Sequence, residues 1–115
     1  AYARGERRFC GHDLPDGLRR HERLPAPLLT PTTKALHGEH DEPTSRAELL
    51  ARGTLSEALF DAAHDLVQRL FAEGTRHAAK QGLILVDTKY ELGLDEFFND
   101  TATTEIYTPD SSRYW

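Results

Sequence analysis

The stretch that decides the fold covers residues 44–93, which read TSRAELLARG (44–53), TLSEALFDAAHDLVQRLFAEGTRHAAKQG (54–82) and LILVDTKYELG (83–93). The first two pieces place capping residues ahead of apolar residues at helical spacing, which predicts a short helix followed by a long one. The third piece is rich in aliphatic and β-branched residues and predicts a strand that is buried at its start. This order indicates an α+β fold, with helices packed on an antiparallel sheet.

Capping signals set the expected bounds of the two helices. The spacing of Ser, Thr and Glu predicts capping boxes at residues 45–48 and 54–57. Gly53 and Gly82 are suitable residues just beyond the two helix ends, so the long helix is expected to reach about Gln81. One apolar stripe of the long helix is expected to face the core: Leu55, Leu59, Phe60, Ala63, Leu66, Val67, Leu70 and Phe71.

Residues 1–43 have a different character. They hold five of the six prolines, three of them in the run LPAPLLTP at 24–31. Proline has no backbone N–H and restricts the residue before it to extended conformations. This region is therefore predicted to be a long structured arm with one or two short strands.

Composition limits the class of protein. The 115 residues carry 14 basic and 19 acidic side chains, a formal charge of −5 that argues against a nucleic-acid partner. No apolar run approaches the ~20 residues of a membrane span. The single cysteine, Cys10, excludes an internal disulfide and fits the reducing cytoplasm. The absence of an initiator methionine indicates a fragment, and the oligomeric state is left open.

Three charged residues follow one another on the predicted strand. Side chains alternate in a strand, so Asp87, Lys89 and Glu91 are expected on one face at intervals of roughly 7 Å. One interpretation is a solvated face with ion pairs between neighbours. The other is a cleft for Mg²⁺ and a nucleotide, because Mg²⁺ takes one or two carboxylates together with phosphate oxygens and a lysine neutralises the phosphoryl group.

The last seven residues, PDSSRYW, are suited to binding phosphate. The planar guanidinium of Arg113 matches a phosphate with two parallel hydrogen bonds, and Ser111 and Ser112 are further donors. Asp110 stands beside them. The alternative is a polar loop with a surface arginine.

The segment TPTTKALHGEHDE at 30–42 gathers a third polar group. Lys34 and His40 favour an anionic substrate. A zinc or manganese site built on His37, His40 and Asp41, with His12 or Asp13, is a second interpretation, although the spacing matches no strong metal signature. A solvated loop is the third.

Four segments together carry a family resemblance. They are CGHDLPDGL (10–18), LPAPLLTPTTKALHGEHDEPTS (24–45), GLILVDTKYELG (82–93) and TPDSSRYW (108–115). In this order and at these spacings they closely resemble the phosphoribosylaminoimidazole-succinocarboxamide synthase (SAICAR synthetase) family, over residues 1–96 and 108–115. The resemblance implies an α+β fold related to the ATP-grasp enzymes. It also implies an activity of purine biosynthesis, in which ATP drives the joining of L-aspartate to carboxyaminoimidazole ribonucleotide through an acyl phosphate.

The resemblance also implies roles for individual residues. Glu91 would coordinate Mg²⁺–ATP, Lys89 would lie beside the reacting groups, and Asp87 would support both. Ser112 and Arg113 would hold the ribonucleotide phosphate. Three further residues match the substrate side of the family's cleft, and a fourth lies near the phosphate: Lys34, His40, Asp41 and Asp110.

The chain also departs from the family pattern. The family's amino-terminal ATP-binding lobe and its carboxy-terminal helices have no counterpart here, so residues 1–115 are predicted to be a partial catalytic domain that is inactive alone. Where family members carry a DEVLTPDSSR-like run, this chain reads TEIYTPDSSR, and Thr104 replaces a magnesium-binding aspartate. The surrounding run NDTATTEIYT is similar to a translated sequencing-library adapter, so residues of about 97–107 are predicted to be adapter-derived.

The sequence is therefore consistent with three candidate functions. The first is the ligase, with carboxyaminoimidazole ribonucleotide, L-aspartate and ATP as small-molecule partners and Mg²⁺ as cofactor. The second is a folded, non-catalytic fragment that binds phosphate or nucleotide. The third is a small metal-dependent hydrolase built on His37, His40 and Asp41. Turnover dependent on ATP and aspartate distinguishes the first from the second, and retention of zinc after dialysis would favour the third.

Overall fold

The fold is α+β, as predicted. A computed structural model describes residues 2–34 and 40–95 of the chain. Contacts between residues divide the chain into two compact units, Ala1–His64 and Asp65–Trp115, and each is treated separately below. The elements, in chain order, are a 3₁₀ helix at Tyr2–Arg4, strands β1 (Arg8–Phe9) and β2 (His12–Asp13), and helices α1 (Arg46–Ala51) and α2 (Glu57–Lys80).

The two strands form a small hairpin in the first unit. They pair antiparallel, with Arg8 opposite Asp13 and Phe9 opposite His12. The two turn residues, Cys10 and Gly11, have φ angles of 49° and 82°, and two positive φ angles are typical of the type I′ turn that suits the twist of short hairpins. The prediction of one or two short strands within residues 1–43 is confirmed.

Helix α1 has the predicted cap at each end. Ser45 is its N-cap, and both hydrogen bonds of the capping box with Glu48 are present. At the other end Gly53 has a φ of 67°, and the N–H groups of Gly53 and Thr54 donate to the carbonyls of Leu50 and Leu49. This pattern is a Schellman motif, which satisfies the last carbonyls of the helix.

The start of α2 differs from the prediction. The capping box was placed at residues 54–57, but the helix begins at Glu57 and its first turn is capped by Ser56, whose Oγ accepts the Leu59 N–H at 3.2 Å. Thr54 is unavailable as the cap because its N–H already closes the end of α1. The far end is as predicted, since α2 stops at Lys80 and Gly82 follows with a φ of 70°.

The predicted apolar stripe is the sheltered side of α2. Every one of its eight residues is buried or half-buried. Phe60 of the first unit and Val67 of the second are the most sheltered, at 6% and 8% exposed, and Leu49 of α1 is 8% exposed. No side chain among the described residues is less than 2% exposed, so the apolar core is small, as expected for a short chain.

The strand predicted at LILVDTKYELG is not present. Residues 83–95 form neither helix nor strand, and Leu83, Ile84 and Val86 are 65%, 87% and 82% exposed, so the expected burial of this start is also wrong. A strand needs a hydrogen-bonded neighbour, and residues 2–34 and 40–95 provide none for this segment. Leu85 alone of the four aliphatic residues is half-buried, and its Cδ2 lies 3.1 Å from where a Cβ on Gly74 would be.

Over the described ranges, none of the helices has the length and apolar character that crossing a membrane requires.

Candidate functional site

The predicted site residues fall into three groups. Lys34, His40 and Asp41 belong to the first unit. Asp87, Lys89 and Glu91 belong to the second. His12 and Asp13, the other candidates for the metal site, also belong to the first unit. The third group lies outside the described residues, so the predictions made for its members stay predictions: His37, Thr104, Asp110, Ser111, Ser112 and Arg113.

A short antiparallel ladder brings together the two chain segments that carry the first group. Thr32 forms a bridge with Pro43, and the Thr33 N–H donates to the Glu42 carbonyl at 2.9 Å. The Thr44 N–H donates to the Pro31 carbonyl, also at 2.9 Å. We call residues 31–34 and 40–44 the two legs.

Lys34 and Asp41 follow directly from this ladder. The pairing of 32 with 43 and of 33 with 42 makes 34 and 41 the next opposite positions. The next residue outward on the second leg is His40, and all three side chains are exposed. The structure therefore brings a cation, a carboxylate and an imidazole to one end of the legs, where an anionic ligand has access to them.

Thr44 joins the legs to helix α1, a role that was not predicted from the sequence. It is the buried polar residue of the described chain, at 3% exposed. Its hydroxyl donates to Glu48 Oε2 at 2.9 Å, and the same oxygen accepts the Ser45 N–H at 2.9 Å. These hydrogen bonds, led by that from Thr44, hold the pKa of Glu48 below its usual value. The signal that was available is the position of Thr44, directly before a capping serine.

The hairpin holds the first leg from its other side. His12 Nε2 and the Leu29 carbonyl are 2.6 Å apart, and the Cys10 thiol donates to the Pro31 carbonyl at 3.9 Å. A cleft of about 380 Å³ opens where the hairpin, the second leg and α1 meet. Its lining consists of Arg8, Cys10, Gly11, Pro43, Thr44, Ser45 and Glu48.

Cys10 is half-buried and lines this cleft. Burial raises the pKa of its thiol, and this effect exceeds the lowering by the hydrogen bond with the Thr44 backbone. Cysteines that react as thiolates have a depressed pKa. The raised pKa therefore disfavours the thiolate form of Cys10.

Lys89 and Glu91 form an ion pair in the second unit. The Lys89 Nζ lies 3.5 Å from Glu91 Oε1, and the two side chains are 65% and 67% exposed. Contact between residues two apart is what the predicted alternation of an extended chain requires, although no sheet is formed. Asp87 is also exposed. The alternation predicts Thr88, Tyr90 and Leu92 on the opposite face, where Tyr90 and Leu92 are half-buried and Thr88 is exposed.

The residues of this segment fit Mg²⁺ and a nucleotide in their chemistry. Glu91 offers exposed carboxylate oxygens, the donor type that Mg²⁺ prefers, and such a site takes its remaining ligands from phosphate and water. The ammonium of Lys89 beside it is exposed and is of the type that neutralises a phosphoryl group, and an exposed ion pair such as this one is held only weakly. Within the described ranges, no three His, Cys, Asp or Glu side chains are grouped to hold a metal by themselves.

The proposed transition-metal site gains no support from the described part of the chain. His12, Asp13, His40 and Asp41 are all described, and they do not form a ligand group. His37 lies outside the described residues.

Comparison with known proteins agrees with the four sequence motifs. The family model described as SAICAR synthetase matches residues 1–115. A putative phosphoribosylaminoimidazole-succinocarboxamide synthase 2 of Mesorhizobium japonicum is 56% identical over 114 residues, which cover 99% of this chain and 36% of the relative. A phosphoribosylaminoimidazole-succinocarboxamide synthase of Cytophaga hutchinsonii is 53% identical over 116 residues, again 99% and 36% of the two chains.

A plant relative extends the range of the similarity. The chloroplastic phosphoribosylaminoimidazole-succinocarboxamide synthase of Arabidopsis thaliana is 48% identical over 114 residues, 99% of this chain and 27% of the relative. No solved structure matches the chain. The chain thus spans about a third of the length of the curated relatives it matches. On the match over residues 1–115 and these identities, the chain belongs to the SAICAR synthetase family.

Proposed function

We propose that this chain is part of an ATP-dependent ligase that joins L-aspartate to carboxyaminoimidazole ribonucleotide, with SAICAR, ADP and phosphate as products. Membership of the family supports the reaction class. The structural observation that carries the proposal is the exposed pair Lys89–Glu91, since it places a carboxylate and an ammonium 3.5 Å apart in the motif shared with the family.

The pair has the chemistry that activation of a carboxylate requires. Phosphoryl transfer to the substrate carboxylate brings two anionic groups together, and the ammonium of Lys89 reduces their repulsion. Bound Mg²⁺–ATP supplies the phosphoryl group, and Glu91 is the residue proposed to hold the ion. Asp87 is proposed to orient Lys89 and keep it charged. The amine of aspartate then displaces phosphate from the acyl carbon to form the amide.

The substrate side is assigned to the first unit. Lys34, His40 and Asp41 are proposed to contact the ribonucleotide or the aspartate, because a cation and an imidazole recognise carboxylate and phosphate oxygens. Ser112 and Arg113, with Asp110 near them, are proposed to bind the ribonucleotide phosphate. The partners are small molecules rather than nucleic acid or membrane, and the cytoplasm is the proposed compartment.

The isolated chain is proposed to be a partial catalytic domain that is inactive alone. It covers 36% of the length of its bacterial relatives, and Thr104 is a poorer magnesium ligand than a carboxylate. The second candidate function, a non-catalytic fragment that binds phosphate or nucleotide, is favoured by the same observation, because Lys89 and Glu91 remain accessible without the rest of the family's length.

Titration of the purified chain with ATP, with and without Mg²⁺ and followed by NMR, tests the assignment of Glu91. We expect weak binding that Mg²⁺ strengthens, and we expect Glu91→Gln to remove the strengthening while Glu73→Gln, a matched loss of charge on α2, leaves it. Equal behaviour of the two variants would contradict the assignment. Product formation from ATP, aspartate and the ribonucleotide by the 115-residue chain would contradict its proposed inactivity.

A further inference from the structure

The proposed substrate residues Lys34, His40 and Asp41 are exposed, so burial in an apolar core does not hold them in position. The geometry of the two legs that carry them must therefore be fixed in another way. The ladder between the legs is short, with hydrogen bonds at Thr33 and Thr44. Two-stranded ladders of this size have little stability in water by themselves. A support outside the ladder is therefore required.

Thr44 connects the two legs to helix α1, which provides this support. Its backbone N–H donates to the Pro31 carbonyl at 2.9 Å, which is the hydrogen bond of the ladder next to the start of α1. Its hydroxyl is bound to Glu48 on the first turn of α1. One residue thus belongs to the legs through its backbone and to the helix through its side chain, and at 3% exposed it is shielded from competing water.

Glu48 completes the connection. Its carboxylate accepts both the Thr44 hydroxyl and the Ser45 N–H, and Ser45 Oγ in turn accepts the Glu48 N–H at 3.3 Å. The direction of the chain leaving the second leg is thereby set by the helix cap. On the other side, the turn of the hairpin is in contact with the same cap, because a Cβ on Gly11 would lie 3.1 Å from Ser45 Cβ.

We propose that Thr44 and Glu48 are positioning residues, and that their hydrogen bond transmits the fixed geometry of α1 to the legs that present Lys34, His40 and Asp41 to substrate. The proposal rests on the proposed function for the identity of the ligand. The coupling between helix and legs itself is independent of that function. Neither Thr44 nor Glu48 is proposed to contact the reacting atoms.

Three substitutions separate positioning from general stability. Thr44→Val keeps the shape and removes the hydroxyl, and Thr44→Ser restores a donor. Thr54→Val is the matched control, because Thr54 is exposed just after α1 and its hydroxyl makes no hydrogen bond with the described part of the chain. Each variant is made in the 115-residue chain, and circular dichroism confirms that the helices are retained.

Amide hydrogen exchange measures the coupling. We expect Thr44→Val to speed exchange at Thr33 by about tenfold, the loss expected for one hydrogen bond, while Val67 in the second unit is unchanged. Thr44→Ser and Thr54→Val are expected to leave both amides as in the parent chain. Unchanged exchange at Thr33 in Thr44→Val, or equal acceleration in Thr44→Ser, would overturn the coupling.

Titration with carboxyaminoimidazole ribonucleotide measures the consequence for binding. We expect Thr44→Val to raise the Kd at least about fivefold and to shift the His40 ring signals, with both effects reversed in Thr44→Ser. Faster exchange at Thr33 with an unchanged Kd would overturn the positioning role. A parent chain that binds no ribonucleotide would instead contradict the proposed function, and exchange at Thr33 would then decide the coupling alone.

Discussion

Arg46 and Asp61 form a forked ion pair between the two helices of the first unit. The Arg46 Nε and Nη2 donate to the two oxygens of Asp61 at 3.1 and 3.2 Å, and Nη2 also reaches Glu57 at 2.6 Å. The guanidinium lies 5.7 Å from the centre of the Phe60 ring. The hydrogen bonds to Glu57 and Asp61 raise the pKa of Arg46 above its usual value.

Removing this fork should lower the melting temperature in a salt-dependent way. Arg46→Gln loses both partners, and the deficit should shrink between ~20 mM and ~1 M NaCl, because salt screens partly exposed charges. Arg69→Gln is the matched control, since Arg69 pairs with Asp65 alone among the described residues, at 3.7 Å, and is more exposed than Arg46. Thermal unfolding followed by circular dichroism measures both. A deficit that is the same at both salt concentrations would show that the fork does not act through charge.

The contact between the hairpin turn and the cap of α1 predicts a difference between two glycines. Gly11 and Gly17 have nearly equal positive φ angles, 82° and 80°. Alanine at either position should cost about 1–2 kcal/mol of unfolding free energy through backbone strain alone. Only at Gly11 would the added Cβ meet another atom, Ser45 Cβ at 3.1 Å, which side-chain rotation cannot move away.

Gly11→Ala should therefore be clearly more destabilising than Gly17→Ala in urea unfolding. Equal losses would mean that the hairpin turn is not packed on Ser45 in solution.

Acidification should loosen the start of α1. The pKa of Glu48 is lowered in the folded chain, chiefly by the Thr44 hydroxyl, from a reference value of 4.5. A group with a depressed pKa stabilises the folded state above its unfolded value, and this contribution disappears as the pH falls through the folded value. The loss should thus begin near pH 4.5 and be complete below the folded pKa of Glu48.

Glu48→Gln removes this titration while keeping an oxygen that accepts a hydrogen bond. In an NMR pH titration, the Ser45 amide of this variant should lack the acid transition that we expect for the parent chain. Glu73→Gln is the control, because the pKa of Glu73 is also lowered, by Arg76, but far along the sequence on α2. Persistence of the Ser45 transition in Glu48→Gln would contradict the assignment.

Local signals in the sequence were sufficient to predict the two helices. Both lie close to their predicted bounds, because capping residues, glycines at positive φ and apolar spacing act within one or two turns. The misplaced cap of α2 has a physical cause that spacing does not show. Thr54 fits a capping pattern, but the end of α1 uses its backbone first.

Longer-range features were harder to predict. A strand at 83–92 follows from the residues themselves, but its formation depends on a neighbouring strand that the described residues do not provide. Residues 89–92 alternate between exposed and half-buried side chains without forming a sheet, and Lys89 and Glu91 form an ion pair on the exposed side. The role of Thr44 depends on a contact with a helix and on burial, and neither is visible in a threonine followed by a serine.

The predicted adapter origin of residues of about 97–107 can be tested in the source DNA. We expect amplification and sequencing across these codons to give a different reading, with an aspartate in place of Thr104, because Mg²⁺ binds a carboxylate far better than a hydroxyl. Recovery of TATTEIY at 101–107 from the original DNA would show that the run is the chain's own.

Residues 1–95 are proposed to carry working parts of the ligase, with Glu91 as the magnesium ligand. They can be tested in a chimera in which they replace the aligned segment of the Cytophaga hutchinsonii relative, so that this relative supplies the remainder of its own length. We predict that the chimera forms SAICAR only with ATP, aspartate and Mg²⁺. We further predict that Glu91→Gln lowers kcat on the order of 100-fold, while Glu73→Gln has no effect. A folded chimera without product, or one in which Glu91→Gln matches Glu73→Gln, would contradict the account.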